Sequence, residues 1–69
     1  MFDKRRFKAQ LALKGVTGRQ LADELNINEA TLYRKINADG AFTREEINHM
    51  ILFLEIEDPK DIFFAEQLA

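Results

Sequence analysis

No cysteine occurs in these 69 residues, and histidine occurs once, as His49. A disulfide and a thiolate metal site are therefore excluded. A lone imidazole without a second histidine or cysteine points to a surface residue, not a metal ligand. Nor is there a run of about 18 apolar residues, which a membrane helix needs. Lys4, Arg5 and Arg6 resemble the start of a signal peptide, but Gln10 and Lys14 interrupt the apolar stretch that should follow. The expectation is a cytoplasmic protein. Repeats, low-complexity tracts and linkers are missing, so residues 1–69 read as one domain. The chain has no glycine-rich phosphate loop and no nucleophile–base pair. Glu45, Glu46, Glu55, Glu57, Asp58 and Asp61 lack the alternating spacing and central glycine of a calcium loop. Neither an enzyme nor a metal or cofactor site is expected.

A domain of this size buries only about 60% of its unfolded surface, so helix packing or self-association must supply its stability. The net charge is −2, unevenly spread. Residues 1–36 carry eight Lys or Arg against four Asp or Glu, a balance of +4; residues 37–69 carry two against eight, a balance of −6. Nucleic-acid affinity depends on the charge that faces the phosphates, so the basic half can bind although the whole chain is acidic.

Apolar residues recur at spacings of three and four, which predicts an all-α fold of five helices. Asp3 caps a first helix that presents Phe7 and Leu11 and stops near Gly15. Thr17 caps a second, with Leu21 and Leu25 inward, and Asn26 takes the left-handed conformation that ends it. Asn28 caps a third, with Leu32 and Ile36 inward, closed by Asn37-Ala38-Asp39-Gly40. Thr43 and Glu46 have the spacing of a capping box, opening a fourth helix through Ile47, Met50, Ile51 and Leu54. Asp58-Pro59 opens a fifth, with Ile62, Phe63 and Leu68 as its candidate apolar contacts. Ala41-Phe42 reads as a loop anchor.

Two short helices joined by a tight turn over Gln20–Ile36 are a common way to hold one helix in the major groove of DNA. Stepping about 100° per residue puts Ala30, Arg34 and Asn37 opposite Leu32 and Ile36, with Thr31 and Tyr33 on the flanks. Ala30 suits a thymine methyl and Arg34 the O6 and N7 of guanine. Thr31 and Tyr33 can donate to bases or phosphates. Glu29 has two readings, a favourable charge at the helix start or an acceptor for cytosine N4. The expected base-reading set is Glu29, Ala30, Thr31, Tyr33 and Arg34. The expected phosphate set is Gly18, Arg19 and Gln20 at the start of the second helix, with Asn28, Lys35 and Asn37.

Phe7-x3-Leu11-x3-Gly15-Val16-Thr17, then Leu21-Ala22-x2-Leu25-Asn26-Ile27-Asn28, then Thr31-Leu32-x-Arg34-Lys35-Ile36-Asn37 resembles the Cro/repressor, or Xre, helix-turn-helix family. Phe42-Thr43-x-Glu45-Glu46-Ile47 and Asp58-Pro59-x-Asp61-Ile62-Phe63-Phe64 are similar to its fourth and fifth helices. The likeness spans nearly the whole chain and is greatest to short phage and prophage Cro-like repressors. It implies a compact lambda-repressor-like domain, double-stranded operator DNA as partner, and Asn28 to Lys35 as the recognition segment. The chain departs from many relatives at Gly18, where they have glutamine, and at Asn26, where they have glycine.

Met50-Ile51-Leu52-Phe53-Leu54 and Phe63-Phe64 hold more apolar side chains than one small core needs. Ile47, Ile51 and Leu54 would suffice for the fourth helix. Leu52, Phe53, Phe63, Phe64 and Leu68 are then candidates for an interface, because exposed apolar patches mark contact surfaces. A homodimer would set two recognition helices about 34 Å apart for a near-palindromic operator. The alternative is an antirepressor that uses the same fold to bind a partner repressor.

Overall fold

Helix starts are set by short polar side chains that satisfy the first free amides. In the computed structural model, which describes residues 1–64, Asp3 accepts from the Arg6 N–H and opens α1 (Lys4–Lys14). Thr17 and Gln20 form a reciprocal capping box at α2 (Gly18–Glu24), and Asn28 accepts from the Thr31 N–H at α3 (Glu29–Asn37). Thr43 and Glu46 form a second box at α4 (Arg44–Phe53). Only α5 (Pro59–Phe63) lacks a side-chain cap. Asp58, expected to cap it, does not, because its own carbonyl takes the Asp61 N–H at 3.1 Å in a tight turn.

Three helices end in one way. A left-handed residue is followed by an apolar one whose N–H bonds back five residues: Gly15-Val16 to Leu11, Asn26-Ile27 to Ala22 and Glu55-Ile56 to Ile51. This turn folds the apolar residue back toward the core, burying Ile56 and half-burying Val16 and Ile27. Glu55 is the unusual occupant, with φ of 50°. A left-handed glutamate is strained, and its ion pair with Lys14 is exposed and worth little. Glu55→Gly is expected to gain about 0.5–1 kcal/mol, read as a higher urea midpoint; a lower midpoint would show that the Lys14 pair outweighs the strain.

All regular elements among the described residues are helices, packed with a Cα radius of gyration of 11.0 Å. Phe7, Leu21, Leu32, Met50 and Leu54 are fully buried, joined by Phe2, Ala22, Ile36, Ile56, Ile62 and Phe63. The α4 seam is rotated from the expected one: Met50 lies with Leu54 at the centre, whereas Ile47 and Ile51 are half-buried at its edge. Phe63, expected at an interface, belongs to the core. Its ring is 5.8 Å from Phe2 and 6.4 Å from Phe7, which turns it inward and leaves Phe64 outside. Leu68 lies outside the described residues. No helix among the described residues is long and apolar enough to cross a membrane.

Polar ties brace this core. The Phe2 N–H donates to Asp39 Oδ1 at 3.1 Å and the Asp3 N–H to the Ile62 carbonyl at 2.6 Å. Gln10 Nε2 donates to the Leu54 carbonyl at 2.7 Å, satisfying the C-terminal end of α4 from α1. Lys35 Nζ bonds Glu46 Oε1 at 3.0 Å, coupling α3 to the start of α4. Partial burial of the Glu46 carboxyl acts to raise its pKa. The Thr43 backbone N–H, the Lys35 ammonium and the Thr43 hydroxyl together outweigh that, and the group lies below its ordinary 4.5. A carboxyl whose pKa is lower when folded stabilises fully above its unfolded value and progressively less as pH falls through its folded value. Melting temperature should therefore drop on acidification below 4.5. Glu46→Gln should flatten that part of the profile, and an unchanged acid limb would remove Glu46 as a contributor.

Candidate nucleic-acid interface

The turn between α2 and α3 is tight because Asn26 adopts φ of 60°, a left-handed conformation that asparagine tolerates. The turn aims Leu21 and Ala22 of α2 at Leu32 and Ile36 of α3, all buried, with Leu25 and Ile27 filling the angle between them. The opposite face of α3 is left to solvent. Glu29, Ala30, Tyr33, Arg34 and Asn37 are exposed there and Thr31 is half-buried. Four of the five residues expected on the outer stripe or its flanks, Ala30, Tyr33, Arg34 and Asn37, are thus exposed.

Electrostatics distinguishes the cations. Arg6 pairs with Asp3 and Asp61, Lys14 with Glu55, and Lys35 with Glu46. Arg19 and Arg34, on adjoining helices, are exposed and, like Arg5, Lys8, Arg44 and Lys60 elsewhere, have no carboxylate partner among the described residues. Lys35 was expected at a phosphate, but its side chain is only 20% exposed and is held by Glu46. Its 100° offset from Arg34 turns it toward α4.

The remaining polar candidates are partly engaged. Gln20 donates its N–H to Thr17 Oγ1 at 3.1 Å, and its Oε1 accepts from the Thr17 N–H at 2.9 Å. The Gln20 amide is therefore removed from the expected phosphate set, whereas its side-chain Nε2 stays open. Asn28 uses Oδ1 to cap α3, accepting at 2.7 Å. Asn37 Oδ1 accepts from Lys4 Nζ at 3.3 Å. This brings Lys4, absent from the expected set, to the C-terminal end of the α3 face. The basic run at residues 4–6 was the signal for it, but the approach of the first residue of α1 to the end of α3 is a tertiary fact.

Gly18 has a specific role in this packing. A Cβ built there would collide with the Tyr33 hydroxyl and lie 3.0 Å from its Cζ. The Tyr33 ring leans across from α3 and fills the place of a side chain at the start of α2. His49, on the outside of α4, lies 2.7 Å from Glu24 at the end of α2. Away from this face, Leu52 is 80% exposed, and Phe53 and Phe64 are also exposed.

The chain matches no family model, no curated protein and no solved structure.

Proposed function

We propose that this chain is a small sequence-specific DNA-binding regulator of transcription, a helix-turn-helix domain of the lambda-repressor type acting as a Cro-like repressor of a phage or prophage. The observation that carries this reading is the exposed outer face of α3, with Ala30 and Arg34 accessible beside the exposed Arg19 of the adjoining α2, neither arginine having a carboxylate partner among the described residues. In this mechanism α3 lies in the major groove while α2 crosses the backbone. Arg34 donates to guanine, Ala30 contacts a thymine methyl, and Glu29 and Thr31 face neighbouring base edges. Arg19, the Gly18 amide, the Gln20 and Asn28 side chains and Asn37 with Lys4 face phosphates, fixing register without reading sequence. Exposed Leu52, Phe53 and Phe64 would join two copies on a near-palindromic site. Repression follows from occupying the operator and excluding polymerase.

Selection from a random-sequence duplex pool, followed by titration at low and physiological salt, tests the proposal. The expected result is an enriched near-palindrome bound with a steep salt dependence. Arg34→Ala should cost about 1–3 kcal/mol on that site and relax preference at one base pair. Arg19→Ala should weaken all sequences alike and reduce the salt slope by about one. Equal losses on selected and random DNA for Arg34→Ala would remove its base-reading role. A second reading, an antirepressor that grips another regulator, is favoured by the 80% exposure of Leu52 in the acidic half. It predicts no duplex binding at low salt and a stable complex with a purified repressor protein.

A further inference from the structure

Tyr33 stands apart from its neighbours on the α3 face. Its ring leans onto the start of α2, where a methyl group at residue 18 would strike the hydroxyl. Tyr33 is nevertheless 44% exposed, and its hydroxyl has no hydrogen-bond partner among the described residues. The ring is thus located by packing while its polar end stays open. At the same edge, Thr17 and Gln20 have already spent their hydroxyl and carbonyl oxygens on each other's backbone.

We infer that Tyr33 contacts a DNA phosphate and does not read a base, and that Gly18 is the specificity of that placement. Gly18 leaves the slot into which the ring fits. The slot carries the phenol away from the centre of the α3 face and toward the helix that crosses the sugar–phosphate backbone when α3 occupies the groove. The hydroxyl then donates to a phosphate oxygen, a contact that adds affinity without sequence information. This inference rests on the DNA-binding reading above and assigns one residue's target within it.

The test compares wild type, Tyr33→Phe, Gly18→Ala and the double variant on the site selected from the duplex pool and on a random duplex. Neither single substitution threatens folding: the first keeps the ring, and the second raises helix propensity. Tyr33→Phe should lose about tenfold on both duplexes, the usual scale for a hydrogen bond to a charged group. Its salt slope should be unchanged, because no charge has been removed. Gly18→Ala should displace the ring and give a similar loss, and the double variant should be no weaker than either single one. If Tyr33→Phe leaves affinity unchanged, or alters preference at one base pair only, the phosphate assignment is overturned while DNA binding stands. If wild type binds neither duplex at low salt, the DNA-binding reading fails and this assignment fails with it.

Discussion

Phe7→Ala should leave little folded protein at ambient temperature. Phe7 is completely buried, and its ring centroid lies 5.2 Å from Phe2, 6.0 Å from Phe42 and 6.4 Å from Phe63. These four rings join the start of the chain, α1, the α3–α4 loop and α5, so one deletion loosens four segments. Truncating a buried phenylalanine typically costs about 3–5 kcal/mol, from lost transfer energy and from the cavity left behind. A domain of this length has a total stability of roughly 3–10 kcal/mol, so the loss approaches the whole. Circular dichroism melts should show a transition lowered by tens of degrees or no cooperative transition. Phe7→Leu, which keeps most of the volume, should retain a clear one. A Phe7→Ala melt within a few degrees of wild type would mean that the aromatic cluster is not the centre of stability.

The local devices of this fold are legible in the sequence because their partners lie within one helical turn. The caps Thr17 and Asn28, the Thr43–Glu46 box and the left-handed Asn26 all form where spacing predicts. The departures come from partners far apart in the chain. Lys35 looks like a free cation beside Arg34, yet Glu46 eleven residues later holds it. Phe63 and Phe64 are equivalent as letters; only the ring cluster formed with Phe2 and Phe7 decides which is buried. Ile56 enters the core because Glu55 accepts a left-handed conformation that no glycine or asparagine announces. The candidate site follows the same division. The period of α3 places Ala30 and Arg34 outward, but no local pattern reveals that Tyr33 leans onto Gly18, fifteen positions earlier.

Gly40→Ala should be the most damaging single-methyl addition among the described glycines, with an expected loss of about 2–4 kcal/mol. Two independent costs meet there. Gly40 has φ of +69°, where a side chain is strained by roughly 1–2 kcal/mol. An added Cβ would also collide with the Phe2 ring and lie 2.7 Å from the Phe2 Cβ. Phe2 cannot retreat cheaply, because its N–H is bound to Asp39 and its ring sits among Phe7, Phe42 and Phe63. Gly15 separates the two costs. Its φ of +65° is similar, but a Cβ there meets nothing within 4 Å, so Gly15→Ala should show the backbone strain alone. In a Phe2→Ala background the collision with the ring disappears while the close approach to the residue-2 Cβ remains, so Gly40→Ala should cost less than in wild type and still more than Gly15→Ala. Such non-additivity is the signature of two groups competing for one space. If urea melts instead give Gly40→Ala the same cost with and without the Phe2 ring, the left-handed backbone accounts for the whole effect and the ring contact contributes nothing.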